Sequence, residues 1–246
     1  MVKTAIIGID CATAAARVGL AWGLLTERGL VLKQAGIAGG EGVMVEQLAA
    51  WMAGQERVLI AFDAPLGWPE SLGRLLAAHR AGESLAEQPN QMFRRETDRF
   101  IKQRLGKLPL DVGADRIART AHAALTLLAS LRQRTGEAIP LVWNAGFTAR
   151  AGAIEVYPAG TLSAAGVRSS GYKEPQKVAE RQEIIAWLAT RMEGVPGQRL
   201  LVENADVLDA AICLVAGRDF LEGRAMAPLS PARVEKEGWI WVRDKH

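Results

Sequence analysis

Cysteine and histidine are scarce: Cys11 and Cys213 are the only thiols among 246 residues, and there are three histidines. So few scattered soft ligands exclude a zinc site of Cys and His or a disulfide framework. No stretch approaches the roughly 20 consecutive apolar residues of a membrane helix. Met1-Val2-Lys3 leads into a strand pattern and not into a signal peptide. Together these absences point to a cytoplasmic protein with no membrane partner. The glycines of Gly39-Gly40-Glu41-Gly42 do not match a Walker A phosphate loop, which counts against a P-loop nucleotide site.

What is present is an ordinary globular composition, 49% hydrophobic. A chain of this length buries roughly 70–75% of its unfolded surface and needs no staples. It predicts one large domain, or a domain with an insertion. The net charge is only +3, but it is uneven. Residues 69–150 hold thirteen Lys/Arg against eight Asp/Glu, a net of +5 that leaves −2 for the rest. A basic segment beside a more acidic remainder fits an anionic substrate, and it fits a solvated helical face equally well.

The stretch Thr4-Ala5-Ile6-Ile7-Gly8-Ile9-Asp10 reads as a strand buried on both faces that ends in a carboxylate. Arg17 to Leu25 and Leu30 to Ile37, joined by a short turn, predict an antiparallel meander after it. Apolar spacing over Val43 to Met52, closed by Gly54, predicts a helix. Arg57 to Asp63 is a second buried strand ending in Asp. Helices are expected over about 69–81, 91–105 and 114–134. A strand over 151–158 carries Glu155, and helices follow over about 175–192 and from Ala205 to Leu221, the latter capped by Asn204. Residues 199–202 are too short to place, and Gly238 to Val242 reads as a strand or a packed arm. The fold class is α/β, a mixed sheet of an antiparallel meander plus parallel strands flanked by helices.

Acids stand at telling positions in this pattern. Asp is depleted in strands and costly to bury alone, so Asp10 and Asp63 at strand ends ask for a partner. In open α/β sheets, sites form beyond the carboxyl ends of the strands. Asp206 and Asp209 share a helix face at i, i+3. A first-turn Asp206 is also explained by the helix dipole. Asp209 lies past the dipole's main reach beside Ile212 and Cys213, which leaves either a polar site or a salt-bridged acid. Three or four converging carboxylates suit Mg²⁺ or Mn²⁺. Two such ions about 4 Å apart can activate water and stabilise the leaving oxygen of a phosphodiester.

Gly8-Ile9-Asp10, Phe62-Asp63-Ala64-Pro65, Arg95-x-Thr97-Asp98, Glu155-Val156-Tyr157-Pro158, Tyr172-Lys173 and Asp206-x-x-Asp209-Ala210 together resemble the predicted RNase H-like nuclease family, usually described as a domain of unknown function. The resemblance spans nearly the whole chain. It implies a single ribonuclease H-like domain over 1–246 with a helical insertion at 69–150. It also implies a metal-dependent nuclease acting on nucleic acid, DNA or RNA undecided. Asp10, Asp63 and Asp209 would bind metal, with Asp206 or Glu155 completing the shell; these five acids form the expected catalytic set. The two helical acids are most similar to the Holliday-junction resolvase branch. That branch has Glu where Asp63 stands and lacks an insertion like 69–150.

Arg94, Arg95 and Asp98 on an insertion helix, with Lys173 and Arg181 later, are the expected substrate contacts; surface arginines on a helix can equally be solvated. Tyr157, His79 and His122 read as packing or surface residues, and Cys11 as a small core residue. Two other functions compete. An actin-like or sugar-kinase-like phosphotransferase also opens with a Gly-Ile-Asp strand and a Thr, but no second Asp-x-Gly-x-Thr motif is found. A non-catalytic nucleic-acid-binding module could keep the same fold.

Overall fold

The computed structural model describes residues 2–113, 115–195, 199–228 and 230–245. Five strands form one sheet: β1 Thr4–Asp10, β2 Gly19–Thr26, β3 Gly29–Ile37, β4 Arg57–Asp63 and β5 Ala151–Glu155. Their order is β3-β2-β1-β4-β5. The first three form the antiparallel meander, while β4 and β5 run parallel to β1. This is the mixed sheet expected from the sequence. All seven residues of β1 are buried, as befits a central strand covered on both faces.

Alternation along the strands sorts the two cores. Ala5, Ile7, Ile9, Val58, Ile60 and Phe62 face one side. There they meet helix α1 (Glu41–Met52) and the long helix α5 (Asp115–Thr135), through Leu48, Met52, Leu127, Leu128 and Leu131. Helix α5 therefore builds one wall of the main core, although it lies inside the segment expected as an insertion. Its start was expected at Ala114, which lies outside the described residues.

Between β4 and α5 come three short helices, α2 (Glu70–Leu76), α3 (Pro89–Met92) and α4 (Glu96–Leu105). Sequence spacing merged α3 and α4 into one helix. They are separate because Arg95 is extended (φ −72°, ψ 165°) and its amide donates to Asp98 Oδ2 at 2.9 Å, which caps the start of α4. The strand expected over 151–158 stops at Glu155, because Pro158 opens helix α6 (Pro158–Ala164). Helices α7 (Val178–Ala189) and α8 (Arg199–Glu203) lead to α9 (Ala205–Leu221), and α10 (Pro231–Glu237) precedes the terminal arm. That arm docks beside β5 by a single bridge, Glu155 to Ile240, and buries Trp239 and Trp241. Among the described residues, no helix is long and apolar enough to cross a membrane.

The second face of the sheet is covered by α9, of which all but four residues are buried. Two glycines let it come close. A Cβ on Gly8 would lie 2.1 Å from the Ala210 carbonyl oxygen, and one on Gly19 would lie 2.0 Å from that of Asp206. Backbone cannot yield as a side-chain tip can, so Gly8→Ala should lift α9 from β1. The expected cost is about 3 kcal/mol or more, at or above the upper end of ordinary overpacking. Equilibrium denaturation checks this, and an unchanged midpoint would contradict the close approach.

Candidate metal centre

Parallel pairing sets Asp10 of β1 directly beside Asp63 of β4. Gly8 and Asp10 share a strand face by the two-residue period, so the face that admits α9 also presents the acid. Asn204 fixes where α9 begins, accepting from the Asp206 and Val207 amides at 2.8 and 3.1 Å. One turn later stands Asp209, next to the Ala210 carbonyl that meets Gly8. Asp10, Asp63 and Asp209 thereby offer carboxylate oxygens that all lie within 4.8 Å of one another.

Three acids this close are held against their own repulsion. Asp10 is pushed well above the ordinary carboxylate range by burial, then by Asp63 and Asp209, with Lys173 opposing. Burial drives Asp63 up to about 7; Lys173 works against the shift, Asp209 adds to it, and a side-chain hydrogen bond with Asp10 opposes it. Asp209 is raised by burial despite Lys173 and Tyr172. The Lys173 ammonium pairs with Asp209 Oδ2, and the Tyr172 hydroxyl donates to Oδ1 at 2.8 Å. Burial disfavours that ammonium, but Asp209, Asp10 and Asp63 together hold its pKa above the usual lysine value. Its side chain is still 56% exposed, so Lys173 reaches the cluster from the solvent side.

Residues 3–233 match the family described as "Protein of unknown function (DUF429)". The chain belongs to that family. No curated protein matches it. Among solved structures it is similar to "T. thermophilus RuvC in complex with Holliday junction substrate", at 11% identity and a TM-score of 0.35. The match covers 89% of this chain and 97% of that one.

In this DUF429 protein the remaining expected site residues are placed elsewhere. Glu155 is not in the three-acid group. It is buried and accepts from Arg95 Nη1 at 2.8 Å, Arg95 Nη2 at 2.7 Å and the Leu66 amide at 3.0 Å. Arg95 is buried too, which corrects the expectation of a substrate contact. All five of its N–H donors are engaged, by Glu155, by Asp98 and by the Glu237 carbonyl oxygen. Asp98 is consumed by the same guanidinium and by the Arg95 amide. Arg94 pairs with Asp111 at 3.0 Å.

Arg181 is a further correction. Its buried guanidinium donates to the carbonyls of Val202, Tyr172, Glu174 and Pro175 at 2.6–2.9 Å. It acts as a clamp on the loop that carries Tyr172 and Lys173. Asp206 is half-buried one turn before Asp209 and outside the three-acid group, yet its charge adds to the upward shift of Asp10 and Asp209. Burial, then Asp10 and Asp63, push the Cys11 thiol up, so no thiolate nucleophile forms there. Sequence reasoning missed the Tyr172 bond to Asp209 and the spacing role of Gly8 and Gly19. The available signal for the glycines was their presence inside strands, where Gly marks a close backbone approach.

The donor set fits a hard divalent cation. Among the described residues it is all carboxylate oxygen, and burial holds all three acids above the ordinary carboxylate range with Lys173 as the opposing cation.

Proposed function

We propose that this protein is a divalent-metal-dependent nuclease that hydrolyses phosphodiester bonds of nucleic acid. The observation that carries this reading is the convergence of Asp10, Asp63 and Asp209 at the carboxyl ends of two adjacent parallel strands. These three would hold Mg²⁺ or Mn²⁺, with Asp206 at the rim. Such a cation supplies water activation and charge neutralisation at phosphate oxygens. Tyr172 fixes one oxygen of Asp209, which limits the directions in which that carboxylate can turn. Lys173 neutralises part of the cluster and can pair with a substrate phosphate from the solvent side. Glu155, tied to Arg95, instead anchors Leu66 and so the loop that follows Asp63.

The test is a substrate panel of single-stranded and duplex DNA, RNA and a four-way junction, with Mn²⁺ or Mg²⁺ against chelator. Cleavage that needs the cation and is lost in Asp63→Asn is the expected result. Cation binding without cleavage of any substrate would remove the catalytic reading and leave a binding module.

A pH dependence follows from the same acids. Their folded pKa values lie above the unfolded value of about 3.9, for Asp63 at about 7. The folded state therefore holds protons more tightly than the unfolded state. That contribution to stability is fully present below about pH 4 and is lost as pH rises through the folded pKa. A cation competes with those protons. The rise in Tm caused by Mn²⁺ should be small at pH 5 and grow toward pH 8. An equal rise at both pH values would mean that the ion binds elsewhere.

A further inference from the structure

A cavity of about 190 Å³ lies between α6, α7, α9 and the terminal arm, lined by Thr161, Trp187, Arg191, Arg218, Asp219 and Arg243 among others. Asp209 and Arg218 are nine residues apart on α9, or roughly 13 Å along the helix axis. The cavity is therefore remote from the carboxylate cluster. Three guanidinium groups meet there. Among the described residues, Arg191 and Arg243 have no ion-pair partner. Arg218 has Glu222 Oε2 at 3.8 Å, too far for a hydrogen bond, and donates through Nη1 to the Arg191 carbonyl oxygen at 2.6 Å. The acid in the wall is already committed: Asp219 accepts from Arg224 Nε at 3.0 Å.

Polar groups are also left over. Among the described residues, Trp187 Nε1, Arg191 Nε and Arg218 Nε are shut off from water and have no hydrogen-bond partner. Glu222 Oε2, 3.8 Å from Arg218 Nε, is likewise buried without a hydrogen-bond partner, so the acceptor that is present does not reach its donor. A cation near the end of α9 is explained by the helix dipole, but that accounts for Arg218 alone. Burial lowers the Arg218 pKa; Asp219 opposes that shift, while Arg224, Arg191 and Arg243 add to it, so the guanidinium groups at the cavity repel one another.

We propose that this cavity is a second binding site, independent of the carboxylate centre, for a phosphate-class oxyanion. Such a dianion offers several acceptors at once, which matches the planar forks of Arg better than a single carboxylate would. At about 30 Å³ per water of liquid volume, the space exceeds what phosphate alone needs, leaving room for a small attached group. Free phosphate and the phosphomonoester of a small molecule share the recognised chemistry.

The probe is inorganic phosphate, titrated into the full chain in chelator, so that no cation at the carboxylates can hold it. Calorimetry and thermal melts are compared with chloride at matched ionic strength. Saturable binding is expected, with a rise in Tm that chloride does not give. Arg243→Gln and Trp187→Phe should each weaken the phosphate Kd by about tenfold (~1.4 kcal/mol). Both variants should melt like the parent without phosphate, and Asp209→Asn should bind phosphate normally. Ribose 5-phosphate binding more tightly than phosphate would assign the site to a phosphomonoester; equal or weaker binding would assign it to the free ion. No saturable binding above the chloride control, or an unchanged Kd in both variants, overturns the proposal.

Discussion

Arg95→Ala should lower the stability of the protein by about 3–5 kcal/mol, the cost of removing one partner from a buried charge pair. For a chain of this size that is a fall in Tm of roughly 6–20 °C. The size of the effect comes from what Arg95 holds. Its guanidinium faces both Asp98 and Glu155, each almost fully buried, and without it two carboxylates remain in a dry interior with no counter-charge. The same group ties α4 to the end of β5 and to the Glu237 carbonyl of α10. Glu237 itself bridges two helix starts, accepting from the Glu70 amide at 2.9 Å and the Glu96 amide at 2.8 Å. A thermal melt of the variant without metal measures the loss directly. A substrate-contacting arginine would leave that melt unchanged and alter only binding, so a Tm within about 2 °C of the parent would return Arg95 to the surface role that its sequence position suggests. A double-mutant cycle with Glu155→Gln should show strong coupling, since the two side chains share two hydrogen bonds.

The difference between Asp209 and Arg95 marks what a sequence can carry. Strand ends and helix faces are set by local patterns: alternation, apolar runs and caps. Asp10 and Asp63 each close an apolar strand, and Asp209 falls on an otherwise apolar helix, so the clash of residue type with position was visible. The β-meander was legible for the same reason. Arg95, Asp98 and Arg181 could not be read in this way. A charged residue on a short helix looks solvated unless its partner is known, and the partner of Arg95 is sixty residues away on β5. The four acceptors of Arg181 are backbone carbonyls, which carry no residue signature. Segment 69–150 was treated as one unit because its charge and helical spacing are similar throughout. Only packing separates α5, which covers the sheet beside α1, from α4, which contacts α6 and α10.

Asp209→Asn gives the sharpest separation between site and scaffold, because both roles are visible in the same carboxylate. As a member of the acidic cluster, Asp209 raises the pKa of Asp10 and Asp63. Asn keeps its shape, still accepts from the Tyr172 hydroxyl, and removes that repulsion. As the partner of Lys173, Asp209 is half of an ion pair, and its loss leaves an ammonium behind. The exposure of Lys173 decides which effect wins. A lysine side chain 56% open to solvent can be hydrated or turn toward Asp10 and Asp63, whereas the acid it leaves is fully buried. The variant should therefore melt at the same or a higher temperature than the parent in chelator at pH 8. With Mn²⁺ it should lose most of the cation-dependent rise in Tm. Cation-dependent hydrolysis should fall by at least about 100-fold, since even the outer partners of metal ligands cost 10–100-fold. A fall of several degrees in chelator, with the Mn²⁺ response intact, would instead make Asp209 a structural partner of Lys173 and remove it from the proposed centre. Lys173→Met checks the same balance from the other side: it should lower the Tm in chelator by leaving three crowded acids without their cation, and Mn²⁺ should restore it.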